Sequence, residues 1–189
     1  MATVSSKYPA FVVPVPRVKN DLAERETDRA YEFYFLQWDF HQAPPVPSAF
    51  EDPFSPSQQG TPVNPPISTI LFTPLQEYKI RQSFATPYLV LTFYTDLANS
   101  HGTVLMRGEI TPASAGAVSG TDTAGTEGRH MLTQEDAQYL AMKLQKFYLW
   151  KTEKEGDEER EGERLLKVFH EKPENFKWEE LLKHGDLSA

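Results

Sequence analysis

The 189-residue chain contains no cysteine. This absence excludes disulfides, thiolate zinc sites, iron–sulfur clusters and cysteine nucleophiles. The N-terminus also lacks the uninterrupted apolar core of a signal peptide, and acidic residues disfavour a mitochondrial presequence. No apolar run reaches the roughly 18 residues that a membrane span requires. The sequence therefore predicts a cytoplasmic, intracellular protein with no membrane association.

Positive charge is also scarce, with 19 Lys and Arg residues against 27 Asp and Glu residues and a formal net charge of −8. This balance disfavours nucleic acid and anionic lipid, because both require basic patches. Binding of single-stranded nucleic acid to the sheet remains an alternative, since bases stack on exposed aromatic rings. The candidate rings and phosphate contacts are Tyr31, Phe33, Tyr88, Tyr94, Lys79, Arg81 and Arg107.

Catalytic and cofactor motifs are missing as well. The glycines at 116, 120, 125 and 128 fit neither a Walker loop nor a dinucleotide fingerprint. Asp39 and His41 are two apart at a predicted strand end, as a carboxylate orienting an imidazole would be, but no nucleophile accompanies them. We therefore predict no catalytic residue, no cofactor, no metal ligand and no enzymatic activity. A small-molecule-binding or enzymatic α+β domain is kept as a second alternative.

The chain does contain several strand patterns. Residues 31–40 are the densest aromatic stretch and are predicted as a strand covered on both sides, with a helix starting near residue 21 as the rival. Residues 8–18 hold three prolines, which favours an edge strand or an extended arm. Further strands are predicted at 68–73, 87–95 and 103–110, the last two paired antiparallel through a turn, while residues 74–84 fit either a strand or a helical turn.

One strong helix is predicted from Thr133 to Trp150. Thr133 is a helix-capping residue, and Glu135 and Asp136 complement the positive helix end. Apolar residues then recur at helical spacing and form a stripe wide enough to cover one face of a sheet. The stripe comprises Ala137, Leu140, Ala141, Leu144, Phe147 and Tyr148. The predicted fold class is α+β: an antiparallel sheet of four to five strands, this helix on one face, and a short C-terminal helical appendage.

Two long loops and a charged segment organise the chain. Residues 42–66 contain 8 of the 15 prolines, and residues 111–130 have the composition of a flexible linker. We predict a core domain at 1–150, followed at 151–189 by a charged linker and a C-terminal segment of two short helices.

The C-terminal helices provide the predicted binding surface. We predict that an amphipathic helix of this segment lies in a groove of a partner. The predicted partner-binding residues are Leu165, Phe169, Trp178 and Leu181. The leading functional hypothesis is a non-enzymatic interaction or assembly subunit whose partner is another protein or a further copy of the same chain.

Overall fold

The computed structural model describes residues 1–17, 30–42, 67–112, 131–149 and 160–183. Five strands form one antiparallel sheet in the order in which they follow along the chain: β1 (Ala10–Arg17), β2 (Ala30–His41), β3 (Ile67–Pro74), β4 (Leu89–Tyr94) and β5 (Leu105–Ile110). The helices are α1 (Ala2–Lys7), α2 (Leu75–Arg81), α3 (Ala98–His101), α4 (Gln134–Tyr148), α5 (Glu161–Glu171) and α6 (Trp178–Lys183), with 3-10 turns at Gln82–Phe84 and Pro173–Asn175. The predicted α+β fold class is confirmed.

Residues 31–40 are extended, as predicted, and belong to β2 rather than to a helix. The ambiguous stretch 74–84 takes the helical alternative, α2 and the 3-10 turn after it. The turn predicted at 96–102 contains the short helix α3, which ends at Gly102 in the left-handed conformation. The loops predicted at 42–66 and 111–130, and the charged linker that begins at 151, lie largely outside the described residues.

β1 is an edge strand among the described elements, and its prolines explain why. The Trp38 N–H donates to the Pro9 carbonyl oxygen at 2.8 Å. Because backbone groups alternate in direction along an antiparallel strand, the nitrogens of Pro14 and Pro16 then point away from β2. No bond of the ladder is lost there.

One face of the sheet carries the hydrophobic core. Side chains alternate along the strands, so every second residue lies under α4 and the C-terminal helices. The buried sheet residues are Phe11, Val13, Val15, Tyr34, Leu36, Trp38, Ile70, Phe72, Leu89, Leu91 and Phe93. The α4 stripe meets them through Leu140, Leu144, Phe147 and Tyr148. Lys143 on α4 is also fully buried, which the helical spacing did not predict.

The start of α4 provides a stability test. The Thr133 side chain accepts a hydrogen bond from the Asp136 N–H at 3.1 Å. Replacing a capping threonine by alanine leaves that amide without its partner, so Thr133→Ala is expected to lower the free energy of unfolding by about 1 kcal/mol. Chemical denaturation measures the change. Gln138→Ala, on the exposed side of the same helix, is the control. Equal stability of both variants would show that the cap contributes nothing.

The C-terminal segment folds back onto β1, so the predicted helical appendage is present. The Phe11 ring lies 4.9 Å from Phe147 of α4, 5.3 Å from Phe169 of α5 and 6.3 Å from Phe176, between ring centroids. At the end of α5, the Tyr8 hydroxyl donates to the Glu171 carboxylate at 2.6 Å. Residues of α5 and α6 therefore belong to the same hydrophobic cluster as the sheet. The division into a core domain at 1–150 and a C-terminal segment at 151–189 stays a prediction.

Candidate protein-interaction groove

Helix α2 lies against the second face of the sheet, opposite the core. It follows β3 directly, and the Tyr78 ring packs on Phe35 of β2 with centroids 4.3 Å apart. At its end Gln82 has φ 54°. Such a positive φ is strained for a residue with a side chain, and costs on the order of 1–3 kcal/mol. The backbone reversal at Gln82 sends the chain into the 3-10 turn that carries Phe84.

Helix α2 and the 3-10 turn that follows it, residues 75–84, form a hook on the second face of the sheet. Two large apolar side chains on this hook are exposed to solvent. Ile80 is 82% exposed and Phe84 is 87% exposed. The other exposed large hydrophobic side chains in the described ranges reach 54% at most, at Trp178. Single exposed hydrophobics are ordinary, but neighbouring ones mark binding surfaces. The hook formed by α2 and the 3-10 turn is therefore the leading candidate for a contact with another molecule.

The hook borders an open groove of about 900 Å³, which we call the α2 groove. Aromatic and aliphatic side chains from β2, α2 and the start of β4 line it: Tyr31, Phe33, Leu75, Ile80, Tyr88 and Met131. Trp178 of α6 meets Phe33 edge-on, with ring centroids 6.5 Å apart. An apolar surface therefore runs from Ile80 through Phe33 to Trp178.

Phe33 reaches this groove because of strand alternation. It faces away from its buried neighbour Tyr34, and it pairs with Pro14 across the ladder. The C-terminal segment thus contacts both faces of the sheet, with Phe176 against Phe11 on the core face and Trp178 against Phe33 on the second face. The segment passes around the β1 edge and places Trp178 against Phe33, one of the residues that line the groove.

Charged side chains at the groove are largely paired. Glu77 accepts hydrogen bonds from the Thr86 N–H at 3.2 Å and from Arg81 at 3.4 Å. Glu32 pairs with Arg17 at 2.5 Å. Burial, followed by the nearby Glu77 carboxylate, raises the pKa of Tyr88, so its hydroxyl stays neutral at physiological pH. Lys79 and Arg81 line the groove together with Glu32 and Glu77, so its charges are balanced and it lacks the basic patch that a nucleic-acid backbone requires.

The four predicted partner-binding residues are split by the structure. Leu165 and Leu181 are 1% and 0% exposed and lie in the hydrophobic core of this chain. Phe169 is half-buried, with its ring edge-on to Phe11 and Phe176. Trp178 is half-exposed and contacts Phe33, which lines the α2 groove. Within the described residues, one of the four is therefore placed to contact a partner without movement of the C-terminal segment.

Ile80 and Phe84 were missed as functional residues. In the sequence they belong to a loose alternation with Leu75 and Tyr78, which is equally typical of a core strand. A sequence signal exists for Ile80, because its neighbours Lys79 and Arg81 are charged, which is typical of a solvent-facing position. Phe84 has no charged neighbour and gives no such signal.

Other predicted polar sites are surface features. The Asp39 carboxylate lies 3.9 Å from His41, and both side chains are exposed. His41 Nε2 also hydrogen-bonds to Thr69 Oγ1 at 2.8 Å. The described part of the chain holds no group of three metal-ligating side chains. Its helices are all too short or too polar to cross a membrane.

The fold and the groove define an α+β protein with an exposed apolar surface suited to a protein partner. The chain belongs to the ATP11 protein family, whose pattern it matches over residues 1–182. It is 28% identical over 148 residues to "Protein atp11, mitochondrial" of Schizosaccharomyces pombe, an alignment that covers 78% of this chain and 35% of that protein. The chain thus spans about a third of the length of that relative. The relative's name places it in mitochondria, which does not support the predicted cytoplasmic location.

Proposed function

We propose that this chain is a non-enzymatic assembly factor that binds an unassembled protein subunit through the α2 groove. Membership of the ATP11 family supports an assembly role. The partner we propose is a subunit of the F1 sector of ATP synthase. The proposal includes a mitochondrial location, which the name of the fission-yeast relative supports.

The observation that carries the proposal is the exposure of Ile80 and Phe84. Full burial of one such side chain is worth about 1.5–3 kcal/mol. A few residues of this kind supply most of the affinity of a typical interface, with a polar rim around them. Lys79 and Arg81 flank Ile80 in the chain and line the groove with it, so they provide such a rim. A subunit that exposes an apolar interface before assembly would find a matching surface here.

Trp178 extends the same surface, while the other predicted partner-binding residues act indirectly. Trp178 offers a half-exposed aromatic ring at the far side of Phe33. Leu165, Phe169 and Leu181 fix the position of that ring, because they hold α5 and α6 on the sheet. We propose that these three residues affect partner binding through the placement of Trp178.

The test is a binding titration with separately purified F1 subunits. Ile80→Asp and Phe84→Asp each place a carboxylate where an apolar side chain would be buried, so each is expected to weaken binding by about tenfold or more, and Trp178→Ala by a smaller factor. Met142→Asp, on the outer side of α4 and 45% exposed, is the matched control. Thermal unfolding verifies that all variants remain folded. Unchanged affinity in both hook variants would refute the α2 groove as the binding surface.

A further inference from the structure

The outer edge of β5 has no neighbouring strand in the part of the chain that the structure describes. The Thr111 N–H donates to the Tyr88 carbonyl oxygen at 3.0 Å, in register with the β4–β5 ladder. Because hydrogen-bonding direction alternates along an antiparallel strand, Glu109 faces β4, whereas Met106 and Gly108 direct N–H and C=O outward. In the described residues none of these outward groups has a backbone partner.

The two edges of the sheet are therefore different. The β1 edge has Pro14 and Pro16 at outward positions, and proline donates no hydrogen bond. The β5 edge has no proline, and Val104, Leu105 and Met106 are 48%, 50% and 42% exposed. Among the described residues no strand covers the β5 edge, and an edge without proline or cover pairs readily with another strand.

The side chains of β5 are complementary to a second copy of the same strand. Residues whose backbone groups point away from β4 must lie opposite the same kind of residue in the second copy. An antiparallel pair in which Gly108 lies opposite Gly108 of the other copy, that is, a pair centred on Gly108, meets this condition. In that register Arg107 lies opposite Glu109 in both halves of the pair, on one face of the sheet. Met106 lies opposite Ile110 on the other face. Opposite charges and apolar pairs directly across a ladder are both stabilising.

Neighbouring registers lose this complementarity. Centring the pair on Arg107 places two arginines opposite each other, and centring it on Glu109 places two carboxylates opposite each other. Like charges in these positions are destabilising. Centring on Met106 places Arg107 opposite Leu105. In the single chain Arg107 already pairs with Glu109 at 2.6 Å, so the favoured register produces a cluster of four charges of alternating sign.

We propose that two copies of this chain associate through their β5 edges, antiparallel and centred on Gly108, to form one continuous sheet. The net charge of −8 opposes association in general. At about 0.15 M salt the Debye length is near 8 Å, so distant repulsion is screened while contact pairs persist. No residue of β5 is among those that line the α2 groove, so pairing at the β5 edge leaves the groove open.

Charge reversal tests the dimer and its register together. Sedimentation equilibrium of the full chain is expected to show a reversible dimer at protein concentrations up to about 1 mM. Arg107→Glu and Glu109→Arg each change two attractive pairs into repulsive ones, and each is expected to weaken association about tenfold. The double variant restores opposite charges and is expected to recover dimerisation. A monomeric wild-type chain, whether or not it captures an extended peptide, overturns the proposal, as does a double variant as weak as the single ones.

Engineered thiols provide a second readout, because the chain has no cysteine of its own. Facing Cβ atoms in an antiparallel pair are about 4.5–5.5 Å apart, close to disulfide range. An oxidised mixture of Arg107→Cys and Glu109→Cys proteins is expected to form a linked dimer, and either protein alone to form little. Linkage of Arg107→Cys protein by itself would refute the register. Phe84→Asp is expected to dimerise normally, which separates a failure of this proposal from a failure of the groove.

Discussion

Phe11→Ala is expected to lower the free energy of unfolding by about 3–5 kcal/mol. Phe11 is fully buried, and its ring contacts Phe147 of α4, Phe169 of α5 and Phe176. Truncation to alanine removes the transfer free energy of the ring and leaves a cavity that three separate elements would have to fill. Aromatic pairs add about 0.5–1.5 kcal/mol each beyond the buried area. Guanidinium-chloride denaturation, followed by tryptophan fluorescence, measures the loss.

The matched control for this substitution is Phe84→Ala. It removes the same ring from a position that is 87% exposed, so its effect on stability is expected to stay within about 0.5 kcal/mol. Both variants remove the same ring, so the difference between their stability losses reports the effect of burial rather than of residue type. Similar losses at both positions would contradict the packing described for Phe11, and so would a negligible loss at Phe11.

The parts of the fold that could be predicted from sequence are those specified by local pattern. The α4 prediction held because Thr133 caps the helix and because Leu140 and Leu144 repeat at helical spacing, which are both local properties. The strand at 31–40 held because its aromatic residues alternate with the period of a strand, but the predicted cover on both sides did not, since only the face with Tyr34, Leu36 and Trp38 is buried. Pro14 and Pro16 excluded a central strand for the same kind of reason, since a missing N–H is tolerated only on an outer edge.

The candidate site could not be predicted in the same way, because exposure is a tertiary property. Leu165 and Trp178 belong to similar apolar stripes in neighbouring helices, yet one is buried in the core and the other is half-exposed. The difference arises where the chain passes around the β1 edge. The sequence around Ile80 and Phe84 fits the alternating pattern of a buried strand. The strained backbone at Gln82, which is visible in the structure, shows that the chain turns away from the sheet there.

A comparable limit applies to the two edges of the sheet. The sequence of β5 predicts a strand, and the i, i+2 spacing of Arg107 and Glu109 predicts that the two charges share one side, which their 2.6 Å ion pair confirms. Strand order is needed to see that this side borders an open edge. Arg107 and Glu109 disfavour the registers that place like charges opposite each other, and they favour the antiparallel pairing centred on Gly108.

Deletion of residues 161–189 is expected to have the largest effect, with loss of cooperative unfolding. The deletion removes Leu165, Leu166 and Leu181 from the core, each at most 1% exposed, and uncovers the Phe11 ring. Each buried leucine is worth about 2–5 kcal/mol when truncated, and the total stability of a domain is about 5–15 kcal/mol. Residues 1–160 alone are therefore expected to lack a sharp denaturation transition in circular dichroism.

A complementation experiment tests whether the truncated protein loses cooperative unfolding because the core side chains of α5 and α6 are missing. A synthetic peptide of residues 161–189, added to the truncated protein, is expected to restore a cooperative transition, because α5 and α6 meet the sheet through side chains rather than through strand pairing. A matched peptide carrying Leu165→Asp and Leu181→Asp should fail to do so, since it would bury two unpaired carboxylates. If residues 1–160 instead unfolded with the midpoint and cooperativity of the full chain, the C-terminal segment would be a detachable arm. Leu165 and Leu181 would then be free to bind a partner directly, and the α2 groove would lose the fixed tryptophan on which its extent depends.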